Sequence, residues 1–300
     1  MRFATFEYRG VTETGVFLDD DTLIGLAALT LEGASGAGMS MMDVIHAGDS
    51  LVAALHLAVG QKKYDSEKAV RLADAILLPP IPRPQRNVFC VGRNYIEHVM
   101  EGDRAQKKNL DMPTFPQFFT KPPTAVIGPG QGIPQHAGVT SQLDYEVELA
   151  LIIGKRGTNI PATQALDYIF GVSIINDISA RDLQRRHGQW FKGKALDGSC
   201  PFGPCIVHHS AWDFTRGSRI QLSVNGQLRQ SSHTNQMMFS IPTIIEQLSA
   251  GLTLEPGDII ATGTPSGVGY AMEPPQFLVD GDHVVAEIEG LGRLENTVTV

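Results

Sequence analysis

Short apolar runs recur through the last two thirds of the chain, and their composition is that of β-strands. They fall at Asn87–Val91, Gln117–Thr120, Glu146–Ile153, Ile169–Ile175, Ile220–Val224, Ile259–Thr262 and His283–Ile288. Each is rich in Val, Ile or Phe and is bounded by Gly, Pro, Asp or Asn, which turn or stop a strand. The chain opens differently. Arg2 to Tyr8 alternates polar and apolar residues, Gly10 follows, and Thr14–Leu18 is again strand-like, which predicts a hairpin. A small-residue patch, Gly33–Gly38, then precedes helical patterns at Met42–Ala47 and Leu51–Val59. The second carries Leu51, Leu55 and Val59 on one face. Later helices are predicted at Ala180–Arg186 and Thr243–Ala250. Strands outnumber helices, so the class is α+β and β-rich, a barrel or sandwich rather than a doubly wound sheet.

The sharpest break is PPIPRP, Pro79–Pro84, where 4 prolines in 6 residues remove amide donors and hold the chain extended. It divides the chain into a small N-terminal domain (1–79), a linker (80–85) and a larger domain (86–300). Of 300 residues, 42% are hydrophobic and 19% charged, enough for a core and without a disorder signature. The net charge of −8 argues against a nucleic-acid partner, which calls for a basic face. No apolar run approaches the roughly 18 residues of a membrane span. The opening MRFATFEYRG has no stretch suited to a secretory signal, so no membrane partner is expected. Cys90, Cys200 and Cys205 form no CxxC pair and cannot all pair internally, which fits a reducing, cytoplasmic location.

Candidate chemistry begins with LDYEVELALII, Leu143–Ile153. In a strand, Glu146 and Glu148 emerge on one face. The run that follows is apolar on both faces, so this strand is central, and two carboxylates at its mouth repel unless a cation lies between them. A second apolar strand ends at Asn176-Asp177, with a helix behind it that an S-x-x-D capping box, Ser179 and Asp182, starts. A solvated acidic face and a turn-capping aspartate are the plain alternatives. Two Glu and one Asp, all oxygen donors, otherwise suit Mg²⁺ or Mn²⁺. Arg181 and Gln184, three apart, share a helix face nearby.

His98 and Glu101 sit three apart after a strand and glycine turn, in the spacing that lets a carboxylate orient an imidazole as a general base. The plain alternative is an exposed pair. The other histidines, His208 and His209 among them, lack such a partner pattern and are read as surface or structural. Gly102–Pro116 is polar and suits a mobile lid. Lys121, Lys192 and Lys194 lie beside aromatics, where a lysine can stabilise an oxyanion or simply snorkel. In Thr262–Gly269, the amides and the Thr262 and Thr264 hydroxyls could bind a carboxylate. The loop lacks the P-loop ending and is followed by no clear helix.

These segments together resemble the fumarylacetoacetate hydrolase superfamily. VGRNYIEHVMEG, FFTKPP, LDYEVELALIIGK, NDISARDLQ, KGKALDGSCPFGP, VNGQLRQ, LEPGDIIATGTPSGVG and GDHVVAEIEGLGRLENTV appear in order over residues 86–300, and the N-terminal module is similar to that of two-domain bacterial members. The resemblance implies a mixed β-sheet roll with a small N-terminal α/β module, and a homodimer. It implies a divalent metal, Mg²⁺ or Mn²⁺, on Glu146, Glu148 and Asp177, and a lid carrying His98 and Glu101. Lys194 matches the family's active-site lysine, while Arg181, Gln184, Lys121 and Thr264 match substrate-side positions. Fumarylacetoacetate hydrolases proper use a further aspartate ligand seven residues before the histidine. Val91 stands there, as in acylpyruvate-type members, which points to a smaller 2-oxo acid.

The implied reaction is metal-dependent C–C hydrolysis of a 3-acylpyruvate or related 2,4-dioxo acid, giving pyruvate and a carboxylic acid. His98, assisted by Glu101, would activate water, and the metal and Lys194 would stabilise the enolate that leaves. An oxaloacetate-type decarboxylase, or a dienoate isomerase or hydratase of aromatic catabolism, would use the same enolate. A non-catalytic metal-dependent binding protein would have no use for the His98–Glu101 pair.

Overall fold

The computed structural model describes residues 1–31, 35–107 and 111–300. Its strands include β1 (Arg2–Tyr8), β2 (Val11–Phe17) and β3 (Thr22–Gly25), then helix α1 (Met41–Gly60) and β4 (Ala69–Arg71). β5 (Val88–Gly92), helix α2 (Ile96–Ala105) and β6 (Gln117–Lys121) follow, then β7 (Val147–Ile153) and β8 (Ile169–Asn176). Short helices α3 (Arg181–Arg186) and α4 (Phe191–Lys194) lead into β9 (Cys200–His208). The chain closes with β10 (Arg219–Val224), β11 (Gln227–His233), helix α5 (Ile241–Ser249), β12 (Ile259–Ala261), β13 (His283–Ile288) and β14 (Gly292–Thr299).

A 12-stranded mixed sheet runs in the order β4-β3-β2-β1-β9-β8-β7-β12-β5-β6, with two short strands off this path. It is open, with β4 and β6 at its ends, so the fold is a mixed-sheet roll and the barrel alternative fails. The N-terminal hairpin joins this sheet directly, because β1 pairs with β9 antiparallel, Phe3 opposite Ile206. A 5-stranded sheet, β11-β10-β13-β14 plus Ile133–Pro134, covers one face.

The expected central strand is β7, every residue of which is buried. Val147, Leu149, Leu151 and Ile153 enter the core shared with the 5-stranded sheet and α5, while Ala150 and Ile152 enter the core beneath α1. The period of two forces this division, and it places Glu148 in phase with Ala150 and Ile152 at the end of the strand.

Both N-terminal helical patterns form, merged as α1. Ser40 and Asp43 make a reciprocal capping box at its start. Between the two halves, Gly48 adopts φ 62° and ψ −152°, open only to glycine. α1 is the one helix among the described residues long and apolar enough to cross a membrane by composition. It is broken at Gly48, and Val44, Ile45, Leu51, Val52 and Leu55 pack into the core.

Two expectations need correction. The S-x-x-D capping box does not form: Ser179–Ala180 is extended and pairs with Leu143–Asp144, so Ala180 caps α3 without a side-chain bond. Ser179 instead donates to the Asp177 carbonyl, and Asp182 accepts from Thr140 at 2.6 Å. Strands β9, β11 and β14 escaped the apolar pattern. β9 begins CPFGP, where proline and glycine mask the strand, and β11 is largely polar. Gly33 and Ala34 of the small-residue patch and Lys108 of the expected lid lie outside the described residues.

A Cβ at Gly48 would meet no atom within 4 Å, so Gly48→Ala tests backbone strain alone. It should cost about 1–3 kcal/mol and lower the melting temperature. Gly60→Ala, equally open and without the positive φ, should leave the melting temperature unchanged or raise it. A melting temperature unchanged by Gly48→Ala would contradict the kink.

Candidate active site

Two strand ends and two loops bring the acidic residues together. β7 and β8 pair so that Val147 faces Asn176. The Glu146 amide donates to the Asn176 side chain at 3.0 Å, and the Asp177 amide donates to the Glu146 carbonyl at 2.8 Å. Glu146, Glu148 and Asp177 are thereby held with one oxygen from each within 4.8 Å of the others, all three buried.

Cations are built in around them. Lys194 Nζ lies 2.7 Å from Glu146 Oε2 and 2.6 Å from Asp177 Oδ2. Lys121 Nζ reaches Asp177 Oδ1 at 2.7 Å and donates to the Ile178 carbonyl at 3.0 Å. Arg181 Nη2 stands 2.6 Å from Glu146 Oε1 in ion-pair contact without hydrogen-bond alignment. Burial pushes the Glu146 carboxyl upward, but Lys194, Arg181 and His98 overcome this and hold it well below the usual range. Glu148 behaves oppositely. Burial, then the neighbouring Asp177 and Glu146, drive its carboxyl well above the usual range, although it accepts the Gly263 amide at 2.7 Å. Burial would lower the Lys194 ammonium, yet Asp177 and Glu146 raise it further, so it stays charged.

This donor set fits a divalent cation. It offers three carboxylates of oxygen chemistry, and Glu148 has no ion-pair contact among the described residues: burial, then Asp177 and Glu146, outweigh Lys194, which favours its charged form without touching it. A cation held by Glu146, Glu148 and Asp177 removes that penalty.

The expected contact between His98 and Glu101 also forms. His98 Nδ1 lies 3.0 Å from Glu101 Oε1 on α2. Glu101 is itself fixed by the Gly267 amide at 2.9 Å, and the Ser266 hydroxyl donates to Glu97 at 3.2 Å, so α2 is fastened onto the glycine loop. Arg93, just before α2, donates to the Asp103 carboxylate on α2 at 2.9 Å and to the Asp111 carbonyl at 2.7 Å, which links two points of the expected lid segment to the turn after β5.

His98, Glu146, Glu148, Arg181, Gln184, Lys194 and Thr264 line one cavity of about 420 Å³, with Val91 on its wall. Glu101 and Asp177 stand behind His98 and Lys194, and Lys121, expected on the substrate side, is fully buried behind Asp177. The glycine-loop amides do not await a carboxylate ligand. Gly263 donates to Glu148, Gly267 to Glu101 and Gly269 to Asp144. Thr262 donates to the Leu149 carbonyl, and Thr264 accepts from Gln230 at 2.8 Å. The three glycine amides are thus consumed in holding carboxylates, whereas the Thr264 hydroxyl, which accepts from Gln230, keeps its proton to donate at the cavity wall.

Sequence reasoning passed over Asp144. It bonds Arg181 Nε at 2.9 Å and accepts the Gly269 and Tyr270 amides, so it orients the guanidinium over the Tyr270 ring, 4.5 Å from its centroid. Gln230 was also missed; it ties Thr264 to the Val147 amide. The LDYE run contains Asp144, but nothing local distinguishes it, since its partner lies 37 residues away.

Residues 87–299 match the family described as fumarylacetoacetate (FAA) hydrolase C-terminal. The chain is 45% identical to the oxaloacetate tautomerase YisK of Bacillus subtilis, over 99% of this chain and 100% of that protein. Among solved structures it is similar to a fumarylacetoacetate hydrolase from the psychrophile Exiguobacterium antarcticum. The TM-score is 0.81 at 42% identity, covering 100% of this chain and 99% of that one. It is also similar to the maleylpyruvate hydrolase of Sphingobium sp. SYK-6, with TM-score 0.77 and 31% identity over 100% and 99% of the two chains. The order of motifs, the open mixed sheet and the matched residues agree, and the chain belongs to the fumarylacetoacetate hydrolase family.

Proposed function

We propose that this protein is a divalent-metal-dependent enzyme that interconverts the keto and enol forms of a small 2-oxo dicarboxylic acid, with oxaloacetate as the substrate. The observation that carries this reading is a small cavity lined by His98, which Glu101 fixes from behind, and by Glu146 and Glu148 of the carboxylate triad, with Asp177 behind them. The similarity to an oxaloacetate tautomerase over essentially the whole length supports the choice of substrate.

Glu146, Glu148 and Asp177 would hold the cation, which supplies Lewis acidity toward the 2-oxo oxygen. The remaining work falls to the protein's own groups. Glu101 occupies His98 Nδ1, which leaves Nε2 as the base. Nε2 takes a proton from C3 of the substrate, the C–H electron pair becomes the C2=C3 bond, and the carbonyl π pair moves to oxygen. The proton held on Nε2 is then delivered to that oxygen, which gives the enol and restores neutral His98. Lys194, charged and buried, stabilises the negative charge that develops. Arg181 is held by Asp144 and Glu146, with Gln184 accepting from its Nη1 at 3.2 Å, and it presents positive charge to the substrate carboxylate. Arg185 lines the cavity with the neutral Gln142 amide as its hydrogen-bond partner, and suits the second carboxylate.

C–C hydrolysis of a 3-acylpyruvate is the second reading. It is favoured by the apolar stretch of cavity wall at Val91, Val99, Phe119 and Trp190, which offers room for an acyl group. There His98 would take its proton from water, and the bond pair of the broken C–C bond would pass to C3 of pyruvate.

Four outcomes are expected. His98→Ala should lower kcat for enol-oxaloacetate decay, followed by ultraviolet absorbance, about 10²- to 10⁴-fold with little change in affinity. Arg185→Gln should raise KM for oxaloacetate more than for acetylpyruvate. Pyruvate release from acetylpyruvate that exceeds turnover of oxaloacetate would favour hydrolysis instead. Burial, Asp177 and Glu146 raise the Glu148 carboxyl, so a cation competes with a proton there and Mg²⁺ binding should release protons, with affinity falling as the pH is lowered. Calorimetry in buffers of different ionisation enthalpy reads this directly, and a heat independent of buffer contradicts it. Exhaustive chelation should abolish turnover and lower the melting temperature, with Mg²⁺ or Mn²⁺ restoring both. Full activity in protein shown to be metal-free would refute the metal requirement.

A further inference from the structure

A second cluster of metal-binding side chains lies away from the triad. His208 closes β9, whereas Cys200 at its start lies by the triad; eight residues of strand place them about 26 Å apart at ~3.3 Å per residue. His209 opens the next turn, and Asp49 follows the Gly48 kink of α1. Asp49 Oδ1 stands 2.9 Å from His209 Nε2 and 3.2 Å from His208 Nε2. One ligand atom from each of the three lies within 4.8 Å of the others.

His208 supplies the independent observation. The residue is 2% exposed, and its Nε2 has no hydrogen-bond partner although it points toward Asp49. The contact at 3.2 Å is out of alignment for a hydrogen bond. Its other nitrogen, Nδ1, lies 2.9 Å from the Ser210 hydroxyl. The Ser210 amide donates to the same Nδ1 at 3.3 Å, so Nδ1 holds the lone pair and Nε2 carries the ring proton toward Asp49. That buried N–H is out of line with the carboxylate, and an unsatisfied buried donor costs free energy; a cation taken by Nε2 in place of the proton, with Nδ1–H turned to the Ser210 hydroxyl, removes the cost. Burial, then the adjacent His209, push the His208 imidazole down to about 4, so the ring is neutral at pH 7. Asp49 is held below the usual carboxylate range by the His209 hydrogen bond and is half open to solvent, which leaves room for water.

We propose that Asp49, His208 and His209 form a second metal site, for a transition ion of the zinc class, that clasps α1 to the end of β9. Two imidazole nitrogens and one carboxylate oxygen suit a four-coordinate ion completed by water. Mg²⁺, which demands six oxygens, is a poor match and stays with the triad. The clasp joins residues 160 positions apart in the chain, across the expected boundary at 80–85.

The full-length protein, held in excess Mg²⁺, is titrated with Zn²⁺ against a chromogenic chelator, and its melting temperature is followed. Wild type should bind one equivalent more than His209→Ala or Asp49→Asn, and only wild type should gain in melting temperature from that equivalent. Each variant should keep its circular dichroism spectrum and its Mg²⁺-dependent turnover. Co²⁺ in place of Zn²⁺ should give wild type, and neither variant, the visible bands of a four-coordinate nitrogen-containing site. Equal Zn²⁺ uptake by wild type and both variants would overturn the proposal. So would an absence of Zn²⁺ uptake by wild type in excess Mg²⁺.

Discussion

The ammonium of Lys194, wedged between Glu146 and Asp177 at the mouth of two buried strands, is the contact around which the rest is arranged. An ion taken out of water costs several kcal/mol, and removing one partner of a buried pair commonly costs about 3–5 kcal/mol. This corner holds Glu146, Glu148, Asp177 and Asp144 against Lys121, Lys194 and Arg181. Each cation is shared or doubly held, and each carboxylate except Glu148 has one. The imbalance at Glu148 is thus a consequence of how the others are paired, and it marks where a further positive charge belongs.

The sheet makes this arrangement possible. β7 is apolar on both faces, so it cannot shift without exposing a core, and its end is a rigid platform. The backbone does much of the remaining work. Gly263, Gly267 and Gly269 each give an amide to a different carboxylate: one in the triad, one behind the base and one behind Arg181. A single loop therefore sets the triad, the dyad and the guanidinium relative to one another. A shift of that loop would disturb all three together.

Local patterning made much of this legible. The double-sided run after Glu148 identified a central strand, the i, i+3 spacing identified the His98–Glu101 pair, and the order of motifs identified the family. Legibility ended where a residue's role depends on a partner far along the chain. Asp144 looks like any acidic residue before a strand until Arg181 folds onto it. Lys121, beside aromatics, reads as a substrate-side lysine, yet full burial makes it a partner of Asp177. The loop amides looked free to bind an anion because their true acceptors are distant in sequence. Likewise His208 and His209 had no local partner, since Asp49 reaches them only through the break at Gly48.

The central claim is that His98 moves a proton at the carbon beside the keto group of a 2-oxo acid bound at the triad. Exchange of the C3 protons of oxaloacetate in D₂O, followed by NMR with Mg²⁺ present, tests it most directly. The account predicts exchange well above the buffer rate, proportional to enzyme, and lost in His98→Ala with Mg²⁺ binding retained. Exchange no faster than in buffer, or equally fast with His98→Ala, would contradict it.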